Sequence, residues 1–509
     1  MDSLQQLAHG FTLAAMPSNL LYAFFGAVLG TLVGVLPGLG PVTTIAVLLP
    51  LTYHVGTPLG AIIMLASIYY GAMYGGSTTS ILLKVPGEAA SVITCIDGYE
   101  MAKNGRAGPA LAIAAIGSFV AGTVAVMALT FVGPLFASVA LSFGPPEYFA
   151  LALFGLALCA TLSGGPPLRG VVMAAAGLLL GLVGMDTVSG VERFTFGNYE
   201  WNDGIEMVPL LMGLFGIGEI LYTLEQRGVM SMVTAKIGRL FPSREDWRDS
   251  RGPIARGTVL GFLVGLIPGG GAILGSMLSY TLEKKLSRHP ECFGKGAIEG
   301  VAGPESANNS AASASFIPLL TLGLPGNAVT AVLFAGLLIQ GVEPGPMMLA
   351  KSPDVFWGVI ASMYVGNVML LVLNLPLVGM WVQLLRVPFW ILGPAVLMVA
   401  IFGTYSLRNS FSDVYLLMIA GGVGYLFRKA SLDAAPLVMA FILANILDTS
   451  LRQSLLMGDS AAILVTRPIA GVILGAALVV MVVQFRGYGR RLRAQRAGLQ
   501  APDAQGAGS

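Results

Sequence analysis

The chain has 509 residues, of which 55% are hydrophobic, 11% are charged and 67 are glycine, with a formal net charge of +2. Its mean hydropathy is +0.79. Soluble domains carry about 25% charged residues, and here the apolar runs recur from end to end, which excludes a soluble enzyme on a single anchor. The near-neutral charge implies no nucleic-acid partner.

Apolar runs of about 18 residues or more predict spanning helices. They lie near 20–53, 59–83, 110–136, 146–163, 168–186, 206–224, 254–280, 311–341, 357–384, 389–405, 412–427, 432–447 and 463–484. About a dozen membrane segments follow, in an all-α polytopic integral membrane protein. The N-terminus lacks a positive n-region, so no cleaved signal peptide is expected. Cys95, Cys159 and Cys292 form no CxxC, and His9, His54 and His289 are dispersed. Neither set predicts a metal centre or a nucleophile.

The first run contains "GTLVGVLPGLG" (Gly30–Gly40), and "GFLVGLIPGGG" (Gly261–Gly271) repeats it with seven of the eleven residues identical, at an offset of 231. Pro removes a donor and Gly weakens a helix interior, so each motif breaks its apolar run. A polar cluster, Ser77, Thr78, Thr79 and Ser80, follows the first motif and leads into "VPGEA" (Val85–Ala89). Asn308, Asn309, Ser310, Ser313 and Ser315 follow the second and lead into "LPGNA" (Leu324–Ala328), at an offset of 239. Gly108–Pro109 and Gly345–Pro346 continue the order. Two inverted repeats are expected, with re-entrant hairpins and broken helices: residues 1–226 and 257–485, joined by a charged cytoplasmic linker at 227–256. A disordered cytoplasmic tail is expected at 486–509.

No Lys or Arg precedes Lys84; seven lie between Arg227 and Arg256, four between Lys284 and Lys295, and five between Arg486 and Arg496. Positive flanks mark the cytoplasmic side. Residues 227–256 and 284–295 are then both cytoplasmic, so the apolar segment between them enters and returns. Its two arms, of roughly ten residues and about 15 Å each, reach halfway through the hydrocarbon core. The first motif has no positive flanks and is expected to open to the opposite side.

Irregular backbone survives in lipid only inside protein or beside a water-filled cavity, and paired interruptions point to a transporter binding site. Helix N-termini suit carboxylates. The expected substrate ligands are Ser77, Thr78, Thr79, Ser80, Pro86, Gly87, Asn308, Asn309, Ser310, Pro325, Gly326 and Asn327, with the N–H groups after Pro86 and Pro325 as donors. Carbonyls at Pro37, Gly38, Gly40, Pro268, Gly269 and Gly271 suit sodium. The small polar residues also fit close helix packing. Glu88 fits a cation or proton site, or a plain helix-start acid, and Lys84 fits a substrate contact or an interfacial anchor. Asp186 and Glu192 read as loop residues.

Three stretches carry a family resemblance: "GVLPGLGPVTTIAVLLPLTY", "YGGSTTSILLKVPGEAASVITCIDGYEMAKNGRAGPAL" and "TLGLPGNAVTAVLFAGLLIQGVEPGP". Over about residues 15 to 480 the chain resembles the large membrane subunit, TctA type, of tripartite tricarboxylate transporters. The resemblance implies a translocation pathway in a bacterial cytoplasmic membrane, working with a small four-helix membrane subunit and a periplasmic solute-binding protein. It implies secondary uptake of small, tricarboxylate-like carboxylates, driven by sodium or protons, with no cofactor and an elevator-type motion. No GxxxxGK[ST] motif is present, as expected without ATP. The alternatives are a re-entrant-loop anion channel or another multipass permease. An intramembrane enzyme would need a clustered catalytic set, and the sequence displays none.

Overall fold

The computed structural model describes residues 3–36, 40–162, 166–186, 188–197, 199–225, 238–267, 271–384, 389–458 and 460–499. Among them, regular structure is helical apart from one antiparallel pair, Gly184–Met185 with Glu192–Arg193. Seven helices are long and apolar enough to cross a membrane: Pro17–Val35, Pro58–Leu83, Ala107–Ala140, Met207–Glu225, Pro353–Asn374, Ala435–Gly458 and Pro468–Arg490. Four shorter apolar helices accompany them, at Pro41–Thr52, Pro145–Thr161, Pro167–Gly181 and Ala328–Ile339. The chain is an all-α polytopic membrane protein.

Two compact units are present, Met1–Ser142 with Ile205–Ala430, and Phe143–Gly204 with Ser431–Ser509. Each draws on both halves of the sequence.

In the first unit, helix Pro17–Val35 lies against helix Pro58–Leu83, here called the Ser/Thr helix. A Cβ on Gly26, Gly30 or Gly34 would stand 2.4 Å from the carbonyl oxygen of Met64, Ile68 or Ala72. The two backbones therefore touch. Helix Arg244–Gly265 meets helix Glu299–Ala314, the Asn helix, in the same way. A Cβ on Gly257, Gly261 or Gly265 would stand 2.4, 2.2 or 2.4 Å from the carbonyl oxygen of Gly303, Ala307 or Ala311. The glycines are related by the offset of 231 and their partners by 239. Lipid tails are as apolar as leucine, so close backbone packing replaces the hydrophobic effect in holding such helices together.

Thr57 caps the Ser/Thr helix, accepting from the Gly60 N–H at 3.1 Å, and Pro58 occupies the first turn, where its missing donor costs nothing. The helix ends at Lys84 in the left-handed conformation, φ 58°. The Asn helix and the π-helical turn after it, Pro318–Leu322, end the same way at Gly323, φ 68°. Lys84 and Gly323 again differ by 239.

The second motif differs from expectation in length. Its arms are the helices Arg244–Gly265 and Gly271–Leu286, of 22 and 16 residues. Of the expected linker, residues 227–237 lie outside the described residues and 244–256 are therefore helix. Ser243 and Asp246 form a capping box that starts it, a local signal that outweighs the charge density. The chain does return along itself: Arg256 on one arm meets Glu283 on the other, at 2.9 and 2.5 Å. Of the expected tail, 486–499 continue helix Pro468–Leu499, whose Arg, Ala, Leu and Gln residues are good helix formers, and 500–509 lie outside the described residues.

In the second unit, helix Pro167–Gly181 packs through Gly177 on the carbonyl of Leu437 and through Gly170 on that of Ala160. Asp186, expected only as a loop residue, closes an ionic ring. It accepts from Arg452 at 3.1 Å and pairs with Arg193 at 2.7 Å, and Asp448 binds both arginines at 3.0 Å.

Replacing Gly261 by leucine should force the two helices apart and cost about 1–3 kcal/mol. Gly422, with nothing within 4 Å of its Cβ position, should accept alanine with unchanged or raised stability, since it lies inside a helix. Thermal unfolding in detergent compares the two, and equal effects would exclude the contact as the cause. The Ser189 hydroxyl, the Val188 N–H and Arg193 hold the Asp186 carboxyl well below the usual carboxylate range. A depressed carboxylate stabilises above its unfolded-state value and loses that contribution as the pH falls through the folded one. Asp186→Asn should therefore be less stable than wild type at neutral pH. The gap should narrow below about pH 4; a gap independent of pH would assign the residue no ionic role.

Candidate functional site

The two helix breaks lie in the first unit. After Lys84 the chain crosses Pro86 and Gly87 and restarts as a short 3-10 turn at Ala89, followed by helix Thr94–Lys103. After Gly323 it crosses Pro325 and Gly326 and restarts at Ala328. The restarts are capped by corresponding residues, Glu88 and Asn327. The Glu88 carboxylate accepts from the Ala90 N–H at 2.6 Å, and the Asn327 side-chain Oδ1 from the Thr330 N–H at 2.9 Å. Both are capping boxes, closed by Ser91 and Thr330. The Ala90 and Thr330 N–H groups are thus engaged by the protein, because a buried helix start must satisfy its orphan N–H groups.

Each cap is gripped from the opposite half. Asn308 of the Asn helix donates to Glu88 at 3.1 Å, and Asn327 donates to the Tyr69 hydroxyl of the Ser/Thr helix at 3.1 Å. Tyr69 and Asn308 are themselves 239 residues apart, as are Glu88 and Asn327. The two contacts are therefore the same contact made in both directions. Gly87 lies so close to Gly34 and Gly76 that its Cβ would meet the Gly34 carbonyl at 1.9 Å. Gly326, its counterpart, faces Ser315 at 3.6 Å, and Gly271, at φ 58°, faces Asn327 at 3.7 Å. Ala90, Ala272 and Ala311 pack in one cluster, which brings the first restart against the second arm of the second motif.

The correspondence fails in charge. Glu305 of the Asn helix is fully buried and accepts from Ser77 at 2.5 Å and from Thr94. Its counterpart is Ala66, and that of Glu88 is the neutral Asn327. Two buried acids thus stand at the first break and none at the second.

Of the residues singled out in the sequence, Ser77 and Thr78 line a small cavity together with Tyr74, Ser118 and Asn374. Its volume is about 10 Å³, near the room one water needs. Asn309 donates to Ser118 at 2.7 Å and to the Glu305 carbonyl at 3.1 Å. Thr79, Ser80 and Ser310 are used in packing: they donate to the Val35 carbonyl, Ser91 and the Thr258 carbonyl at 2.7, 2.9 and 2.7 Å. Lys84 lies over the Tyr99 ring at 5.4 Å. For the expected sodium ligands, Pro37, Gly38, Pro268 and Gly269 lie outside the described residues. The Gly40 carbonyl already takes the Thr44 N–H and hydroxyl at 3.2 and 3.1 Å. Among the described residues no group of three His, Cys, Asp or Glu side chains could hold a metal ion.

Glu305, Thr94, Tyr69, Ser118 and Asn374 were missed in the sequence. Glu305 carried a signal, as a lone acid in a run of small residues, which in a membrane segment marks function. Asp97 was missed as well. It accepts from the N–H groups of Gly294, Gly296 and Ala297 at 2.8, 2.8 and 2.9 Å and from Tyr280 at 2.9 Å, and so fastens the basic 284–295 segment to helix Thr94–Lys103.

Paired helix breaks around polar segments, inside a helical membrane protein, define a membrane transport component. The chain matches the tripartite tricarboxylate transporter TctA family over residues 20–439, and it belongs to that family. It is 49% identical to an uncharacterised 52.8 kDa protein of the TAR-I ttuC' 3' region of Agrobacterium vitis, over 95% of this chain and 96% of that one. It is 47% identical to a protein of the TAR-II ttuC' 3' region of the same organism, over 44% of this chain and 93% of that one. No solved structure matches it.

Asp97→Ala should release the 284–295 segment, leaving three N–H groups without their acceptor at about 1–3 kcal/mol each if they stay buried. Faster amide exchange and proteolysis at 287–297 would register the release; unchanged exchange there would assign the anchoring elsewhere.

Proposed function

We propose that this chain is the large membrane subunit of a secondary transporter that imports small, tricarboxylate-like carboxylates by cation-coupled alternating access. It works with a small four-helix membrane subunit and a periplasmic solute-binding protein in a bacterial cytoplasmic membrane. The observation that carries this reading is the reciprocal grip of the two caps, Asn308 on Glu88 and Tyr69 on Asn327. It supports an inverted repeat whose breaks converge on one region, the arrangement that alternating access around a fixed site uses. The glycine contacts tie each break to its own arm and support movement of these elements as one body. The substrate is assigned to the neutral second break, at Asn327 and Gly326, because two buried acids oppose an anion at the first; Thr78 and Asn309 of the two polar segments are its further ligands in this reading. Membership of a tripartite family supports the partners.

Uptake of radiolabelled citrate into proteoliposomes should require the solute-binding protein and the small subunit. Thr78→Val should weaken it by roughly 10- to 150-fold if its hydroxyl meets a carboxylate. Uptake independent of the binding protein would contradict the reading. Cys292 is exposed, whereas Cys95 and Cys159 are buried, so a membrane-impermeant maleimide reports on Cys292. Labelling should occur from the cytoplasmic side; labelling only from outside intact cells would reverse the proposed topology.

A further inference from the structure

We propose that the coupling ion is a proton, carried by the Glu88–Glu305 pair and registered by the amide of Asn308. This deepens the proposed function and rests on it for the word coupling; proton binding itself does not.

Both acids are buried, at 7% and 0% exposure. Their hydrogen-bond partners are uncharged: the Ala90 N–H and Asn308 for Glu88, Ser77 and Thr94 for Glu305. A buried carboxylate without a cationic partner is costly, and two in one place cost more than one. Asn308 and Glu305 are one helical turn apart, and Asn308 reaches Glu88 at 3.1 Å. Glu88 and Glu305 thus stand on either side of Asn308, and a charge on one opposes a charge on the other, which favours taking up one proton.

The Asn308 amide indicates which acid takes it. Its Nδ2 donates to Glu88, while its Oδ1, fully buried on the same amide, has no hydrogen-bond partner. Buried polar atoms are rarely left unpaired. An amide carries a donor and an acceptor and can be turned over. With Glu88 ionised, Nδ2 donates to it; with Glu88 protonated, the carboxyl O–H donates to Oδ1. Glu305 has hydroxyl donors on both oxygens, which suits the ionised, acceptor-only form. The pair therefore changes from charge −2 to −1 when one proton arrives from water, and no other bond forms or breaks. Ser77 both lines the water-sized cavity and donates to Glu305, which gives the proton an entry. Every carboxylate oxygen here already has a donor, and an added proton needs only one further acceptor, the Asn308 Oδ1.

The titratable groups facing the pair are Tyr69, midway along the Ser/Thr helix, and Cys95 on helix Thr94–Lys103; Lys84, at the end of the Ser/Thr helix, lies near Cys95. Lys84 is held over Tyr99. On the second arm Tyr280 is bonded to Asp97, and Glu283 to Arg256. Helix Ala107–Ala140 carries no titratable side chain.

Infrared difference spectroscopy of the purified full-length chain, titrated in pH without substrate, reads the protonated carboxyl directly. We expect a buried carboxyl band that shifts in heavy water and disappears in Glu88→Gln. In Glu305→Gln its midpoint should move down by about one pH unit or more, because the repelling charge is gone. Asn308→Leu should also move it, which keeps the test open if Glu88→Gln fails to fold; Gly422→Ala should not. A band unchanged in these variants, or a midpoint that follows sodium concentration, overturns the proposal. In proteoliposomes with citrate, an imposed pH gradient should drive accumulation by wild type, and Glu88→Gln should retain only citrate exchange. Failure of citrate uptake altogether would count against the proposed substrate and leave the infrared result standing.

Discussion

Close approach of helix backbones is the constraint on which the rest of the first unit depends. In lipid there is no hydrophobic gain in pressing one apolar helix on another, so association rests on contact area and polar bonds. Gly26, Gly30 and Gly34 bring one arm onto the Ser/Thr helix, and Gly257, Gly261 and Gly265 do the same for the Asn helix. Only with the backbones in contact can Gly87 lie on the Gly34 carbonyl and Thr79 reach Val35. The position of each break is thus set by glycines about fifty residues or more before it, and the caps of the restarted helices follow from that position.

The polar interior then completes what the glycines allow. Each restart exposes N–H groups that lipid cannot satisfy. Glu88 and Asn327 satisfy part of them, and each cap is held by the other half of the chain. The acids make the two ends unequal: one break carries Glu88 near Glu305, while the other is neutral.

Much of this was legible in the sequence. The breaks at Pro86–Gly87 and Pro325–Gly326 could be read because Pro and Gly act locally, and the returning arms of the second motif because Lys and Arg flank it. The Ser/Thr and Asn/Ser clusters were found, but their division into cavity-lining and packing members was not. Thr78 and Thr79 are adjacent in sequence, and only the helix phase relative to two neighbours turns one to the cavity and the other to Val35. A cap uses the same kind of N–H group that a ligand would, and the sequence does not state which of them a cap takes. The length of the second motif's arms was hidden because a charged segment with a capping box looks like a linker until its helical phase is seen.

Helix Thr94–Lys103 touches two places at once. Thr94, at its start, bonds to Glu305; Asp97, one turn on, holds the backbone of Gly294, Gly296 and Ala297. A single helical turn is short and stiff, so these attachments form a lever with almost no slack. Traction on the surface segment is delivered to a buried carboxylate as a change in the geometry of its hydroxyl donor, and loss of that donor is felt in turn at the surface.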